Sequence, residues 1–429
     1  MRGNSFFKIL KNENLLKVWL VQLFSSISAA SLNFILIGKI FSLTQSSVAV
    51  AFYIFFYLLP TLLLGPFVGV FIDNLNKKKI LIYSNLSQCV IVLLYLLLKE
   101  KIWPIYAIVL FYSLGDEFFN PAVMVSVPVL VEKKYYATVN SLFLLTNQSS
   151  IVVGSLIGGL MLKLLPSQSL VFPIISLFLF FGSLLSLSLP LFPFRGSRKL
   201  KLNFKDPSSL SEAFDFTGFS KQLKEGYQFI KDEPIVLFPI LLLAGLQGLV
   251  GMGLIVFPSL AKILKINFAD SPFFLILPAI LGAILGGTII EKRLRKLRKN
   301  IFILVGLYST GAILLVFGLI TLILKRPFLL AVPLALGLGV AYVFIYIPLQ
   351  TLIQEKTPFS VRGRVFTTLS TLITLSSFLP MLITTTLVDL LGLRAVLSIL
   401  GIIILTSSFY GHHKLDLILA SVNKTVNKK

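Results

Sequence analysis

Between Trp103 and Val131 the chain is apolar except for two adjacent acids, Asp116 and Glu117, with Asn120 and Pro121 close behind. Counted from Trp103 at about 1.5 Å per helical residue, Asp116 lies roughly 20 Å along such a helix. A carboxylate at that depth in hydrocarbon is costly, so the pair must face a wet cavity, find partners or hold a proton. With no basic residue in the core of any apolar run, two neighbouring acids have the chemistry of a reversible proton carrier. Tyr112, Ser113, Asp116, Glu117 and Asn120 share one side of the helix, which gives the span a polar face. Two plainer readings stay open: the acids bond polar groups on neighbouring helices as structural glue, or the span is shifted so that they sit near the inner surface.

The surroundings decide what must hold these acids. Of 429 residues, 56% are hydrophobic and only 13% are charged, with a mean hydropathy of +0.93, too little polar surface for a water-soluble globule of this length. A spanning helix needs about 20 apolar residues. Such runs fall near residues 18 to 38, 48 to 72, 80 to 98, 103 to 127, 138 to 162 and 170 to 194. A second set lies near 235 to 261, 271 to 290, 301 to 324, 327 to 350, 365 to 388 and 395 to 411. The reading is an all-α integral membrane protein with twelve spans in two groups of six. Its parts are an N-terminal bundle over 1–194, a cytoplasmic linker over 195–233, a C-terminal bundle over 234–413 and a cytoplasmic tail over 414–429.

The net charge of +22 would suggest a nucleic-acid partner in a soluble protein, but its distribution argues otherwise. With the N-terminus placed inside, 30 of the 39 lysines and arginines fall on the cytoplasmic side, as the positive-inside rule requires. Both termini are then cytoplasmic and no nucleic acid is expected. The first span, at 21 residues and followed at once by a second, reads as an uncleaved helix and not a signal peptide. Cys89 is the only cysteine, so neither an internal disulfide nor a cysteine metal cluster is possible.

The second span ends on Gly69, Asp73, Lys77 and Lys78, and the second span of the other half ends on Gly287, Glu291 and Arg293 with further bases around it. In each, a glycine is followed four residues later by a carboxylate and then by bases. Pro121 and Pro348 echo one another in the fourth span of each half, and such parallel halves are the trace of a duplicated bundle. The first loop resembles the signature G-x-L-a-D-r-x-G-r-k of the major facilitator superfamily, with Asn76 in place of a glycine; asparagine also tolerates a left-handed backbone. Within that superfamily the strings NLLKVWLVQ (14–22), TQSS (44–47), LPTLLLGPFVG (59–69), NPAVMVSVPVLV (120–131), EGYQFIKDEP (225–234) and RGRVF (362–366) resemble the macrolide and siderophore exporter branch of drug:proton antiporters. The resemblance implies two pseudo-symmetric six-helix bundles rocking about a central cavity, a conformational gate at Gly69, Asp73, Lys77, Lys78, Gly287, Glu291 and Arg293, and proton-coupled export. Beside the gate stands a simpler reading, in which Asp73 or Asn74 caps the third span and the lysines only fix topology. That branch tends to carry small or neutral residues at 116 and 117, so the proton-carrier reading comes from the residues themselves.

Neutral polar side chains recur in other spans: Gln22 and Asn33 in the first, Asn120 in the fourth, Asn140 and Asn147 in the fifth, Gln247 in the seventh, and Tyr342, Tyr346, Gln350 and Gln354 at four-residue steps in the tenth. They are candidates for cargo contact in a cavity, or for bonding between helices. Gly154 to Gly159 (GSLIGG) resembles the antiporter string G-P-x-x-G-G with Ser155 for proline, and Gly154 with Gly158 also makes a close-packing G-x-x-x-G. No phosphate loop, H-E-x-x-H or G-x-S-x-G is present, so neither an ATP-driven pump nor an enzyme is expected.

The sequence therefore points to a multi-pass protein of a bacterial cytoplasmic membrane, acting as a monomer among membrane lipids. It would export a small amphiphilic compound, macrolide-like or a siderophore, on a proton gradient and with no bound cofactor or metal. A lysophospholipid or lipid transporter, and a non-transporting receptor or scaffold of the same fold, remain open at this stage.

Overall fold

A computed structural model describes residues 11–97, 101–132, 135–190, 234–293, 299–323, 328–356 and 383–426, with the single positions 228, 231 and 380. Every regular element among them is helical. The long helices are α1 (Glu13–Thr44), α2 (Ser47–Asn74), α3 (Lys77–Leu94), α4 (Ile102–Leu130), α5 (Tyr136–Leu164), α6 (Val171–Leu187), α7 (Pro234–Ile263), α8 (Leu277–Arg293), α9 (Lys299–Ile323), α10 (Phe328–Lys356) and α11 (Leu393–Val426). Among the described residues eleven helices are long and apolar enough to cross a membrane. The expected span near 365 to 388 lies mostly outside the described residues, which hold only its end as the helical stretch 383–391.

The chain divides into two compact units, Met1–Gln45 with Phe52–Phe216, and Ser46–Ala51 with Thr217–Lys429. In the first, α1 packs on α5 and α6, and α3 packs on α4 and α6. In the second, α9 packs on α10 and α11, α8 on α10, and α7 on α10. The third helix of each unit thus leans on the fourth and on the last described one, the same pairing carried out twice.

Small residues allow these contacts. Ser31 Oγ on α1 donates to the Gly154 carbonyl on α5 at 2.8 Å, and a Cβ at Gly154 would lie 2.5 Å from that of Ala30. Gly158 meets Phe34 and the Ser31 carbonyl in the same way, so Gly154 and Gly158 are the close-packing surface of α5 against α1. On α10 a Cβ at Gly339 would lie 1.7 Å from the Ala279 carbonyl oxygen of α8, and on α8 one at Gly282 would lie 2.0 Å from the Leu336 oxygen.

One local expectation is corrected. The cap of α3 is Asn76, whose side chain accepts from the Lys78 N–H at 3.0 Å; Asp73 and Asn74 belong to the last turn of α2. Asn76 is extended, at φ −73° and ψ 112°, as an N-cap must be, so it has no need of the left-handed backbone that a glycine would offer.

Candidate functional site

Gly115 prepares the site. Without a side chain there, Gln88 of α3 lies across α4, where a Cβ on Gly115 would come within 2.9 Å of Gln88 Cγ. From that position Gln88 Nε2 donates to the Tyr112 carbonyl at 3.1 Å and to Asp116 Oδ1 at 2.8 Å, using both amide hydrogens. The Tyr57 hydroxyl of α2 donates to Asp116 Oδ2 at 3.3 Å. One turn further along α2, Thr61 Oγ1 donates to Glu117 Oε2 at 2.7 Å. The two adjacent acids therefore diverge: both carboxylate oxygens of Asp116 are held by α2 and α3, whereas Glu117 is held by Thr61, an exposed residue. Both acids are half-buried.

The other groups around Asp116 are neutral. Tyr53, nearly fully buried, donates its hydroxyl to Asn33 Oδ1 on α1. The Tyr112 hydroxyl and Gln88 Oε1 are buried with no hydrogen-bond partner. Asp116 thus sits amid neutral donors with one further acid beside it, and among the described residues no base acts on it.

The polar face expected of α4 fans out: Tyr112 and Ser113 are buried, Asp116 and Glu117 half-buried, and Asn120 exposed. Gln22 is buried and reaches the Phe143 carbonyl of α5 at 3.4 Å, a contact between helices. Asn147 is exposed and Gln247 half-buried. In the second unit Tyr342 and Tyr346 stack at 5.4 Å and 15°, and Gln350 Nε2 donates to Tyr346 Oη at 3.2 Å while its Oε1 has no partner. Of the gate residues, Lys77 is buried at the start of α3, Arg293 is exposed, and a Cβ at Gly287 would meet nothing within 4 Å. The side chains of Asp73, Asn140, Glu291 and Gln354, and the surroundings of Gly69, lie outside the described residues.

Tyr53, Tyr57, Thr61 and Gln88 did not emerge from the sequence as site residues. The available signal was the four-residue step of Tyr53, Tyr57 and Thr61, which sets three hydroxyls on one face of α2.

The sequence model for the Major Facilitator Superfamily matches residues 18–381. The uncharacterized MFS-type transporter YfiS of Bacillus subtilis (strain 168) is 26% identical over 80% of this chain and 78% of its own length. Macrolide efflux protein A of Streptococcus pyogenes is 26% identical over 27% of this chain and 30% of its own, and a putative bacilysin exporter BacE of Bacillus amyloliquefaciens is 35% identical over 23% and 25%. Among solved structures, a bacterial homolog to the human lysosomal transporter Spinster superposes with a TM-score of 0.67 over 95% of this chain and 96% of that one, at 13% identity. The nucleoside transporter NupG does so with a TM-score of 0.66 over 93% and 98%, at 12% identity. At such identities the structures are alike in fold.

Proposed function

The chain belongs to the Major Facilitator Superfamily, matched by that family over residues 18–381, and on that premise we propose that it is a secondary active exporter of a small amphiphilic compound driven by the proton gradient. It is a multi-pass membrane protein; in this reading it lies in a bacterial cytoplasmic membrane with both termini inside, where the basic loops favour the cytoplasmic face. The cargo reading draws support from the local likeness to a macrolide efflux protein and to a putative bacilysin exporter, each over about a quarter to a third of either chain.

The observation that carries proton coupling is the divergence of Asp116 and Glu117. Asp116 is clamped by donors from two other helices, so gaining a proton changes what it exchanges with both. Glu117 is held by the exposed Thr61 and takes the more open side. Asp116 binds and releases the proton; Glu117 meets the cargo or the water that carries the proton to and from the site. Each proton moving inward is worth about 2.3 kcal/mol per 100 mV of membrane potential, enough to concentrate a cargo outside. Asp73 with Lys77 and Lys78, and Glu291 with Arg293, serve as the inner gate, and Tyr346 with Gln350 as cargo contacts in the second unit.

The test is uptake of a labelled macrolide, a siderophore and a lysophospholipid into everted vesicles under an imposed pH gradient. Flux of the first or second that collapses with the gradient supports the reading. Gradient-independent lysophospholipid movement, or no flux at all, overturns it.

A further inference from the structure

We propose that Asn85 holds buried water where α1, α3 and α6 meet, and that this water also bonds Gln88, the residue that clamps Asp116 from α3. The site goes beyond the transport reading and stands whether or not Asp116 carries a proton.

Asn85 lies midway along α3 and is fully buried. Neither its Nδ2 nor its Oδ1 has a hydrogen-bond partner among the described residues. Bulk water does not reach the middle of a membrane-spanning helix, so an amide left bare there is costly and calls for a ligand.

The nearby backbone carbonyls are already in use. From α6, Ser183 Oγ donates to the Ile82 carbonyl at 3.2 Å and Ser176 Oγ to the Cys89 carbonyl at 3.3 Å. These two hydroxyls stitch α6 to α3 on either side of Asn85, two helical turns apart. Ser186 Oγ donates to the Gly182 carbonyl at 2.9 Å, and the Tyr112 carbonyl takes Gln88 Nε2 at 3.1 Å. Between the stitches α6 offers Gly182, which has no side chain: a Cβ there would lie 3.0 Å from Asn85 Nδ2 and 3.8 Å from the Val21 carbonyl oxygen of α1. The amide and that carbonyl therefore border the same place, where any other residue on α6 would put its side chain.

One turn along α3 stands a second orphan. Gln88 is fully buried, spends both amide hydrogens on the Tyr112 carbonyl and Asp116 Oδ1, and keeps Oε1 without a partner. Residues three apart on a helix are neighbours, about 5–6 Å between Cβ atoms, a gap that one water spans. Asn85 Nδ2 and Oδ1, Gln88 Oε1 and the Val21 carbonyl supply one donor group and three acceptors, and a buried water needs about two to four such partners. The water accepts from Nδ2 and gives its hydrogens to Gln88 Oε1 and to one of the other two oxygens. A hydrogen bond received at Oε1 polarises the amide and makes Nε2 a stronger donor, so the water backs the clamp on Asp116.

The experiment is electron cryo-microscopy of the full-length protein in lipid nanodiscs, at a resolution that shows ordered water, with melting of Asn85→Leu followed by dye labelling of the buried Cys89. The expected result is a water within hydrogen-bonding distance of both Asn85 and Gln88 Oε1. A dry contact, or an Asn85 bonded straight to the Val21 carbonyl, overturns the proposal. Leucine has nearly the shape of asparagine but holds no water, so Asn85→Leu should melt below wild type, with Gln88 Oε1 left unmet. In a dry site the same change would only remove an unpaired amide and raise the melting temperature, so a rise also overturns the proposal. Should Asn85→Leu fail to fold, the water seen or missed in the wild type decides. Neither measurement needs cargo or a gradient, so water on Asn85 in a protein that drives no flux upholds the site while the export reading falls.

Discussion

The side chain of Gln88 rests on the bare backbone of Gly115, and from there it reaches both the Tyr112 carbonyl and Asp116. A glycine in a helix interior costs roughly 1 kcal/mol relative to alanine, so its presence one residue before the half-buried Asp116 is informative. Gly115→Val should push Gln88 off α4, lower stability by about 1–3 kcal/mol and take gradient-driven flux with it. Melting can be followed through labelling of the single, buried Cys89 by a thiol dye as the protein unfolds.

The two substitutions at Asp116 should separate charge from hydrogen bonding. Asp116→Asn keeps an oxygen for one donor but cannot exchange a proton, so gradient-driven flux should fall at least tenfold while cargo equilibration down its own gradient persists. Asp116→Leu also leaves one Gln88 amide hydrogen and the Tyr57 hydroxyl without an acceptor, and should melt lower than Asp116→Asn by about 1–3 kcal/mol. Equal melting of the two variants would count against these contacts.

Glycines that look alike in sequence should differ sharply in tolerance. Gly339→Ala drives a methyl group against the Ala279 carbonyl at the α8 and α10 crossing, a rigid backbone atom, and should destabilise by roughly 1–3 kcal/mol or more. Gly253→Ala meets nothing within 4 Å and should be neutral or slightly stabilising through helix propensity. Parallel thiol-dye melts of the two variants check this.

Asp389 caps the start of α2 from the far end of the sequence. Its carboxylate takes the Ser47 N–H at 3.1 Å and the Ser46 hydroxyl at 2.7 Å, within the second compact unit. Asp389→Ala should cost about 0.5–2 kcal/mol, as loss of an N-cap does, and speed hydrogen exchange at the amides of Ser47 and Val48. Unchanged exchange there would show that water satisfies these groups as well.

Much of the architecture is legible in the chain alone. The apolar runs account for the eleven helices among the described residues that are long enough to cross a membrane, because a backbone in hydrocarbon must bond within itself and so declares its length in the sequence. Gly154 and Gly158 announced a close helix contact, and their partners proved to be Ala30, Ile27, Ser31 and Phe34. Asp116 and Glu117 stood out because an acid at mid-span has few reasons to be there.

The partners of those acids were not legible. A helical wheel places Asp116 and Glu117 on one side of α4 but not their partners: Asp116 is held between Gln88 of α3 and Tyr57 of α2, and Glu117 by Thr61 one turn further along α2. Gln22 and Asn33, candidates for cargo contact or for bonding between helices, bond neighbouring helices in the structure, and a neutral polar side chain in an apolar run has the same appearance whether it faces a cavity or a partner. Periodicity in a single span reports which residues share a face, and hydrocarbon fixes where each span begins and ends. Which faces meet is decided by packing among helices far apart in sequence, and only the tertiary structure brings Tyr57, 59 residues away, onto Asp116.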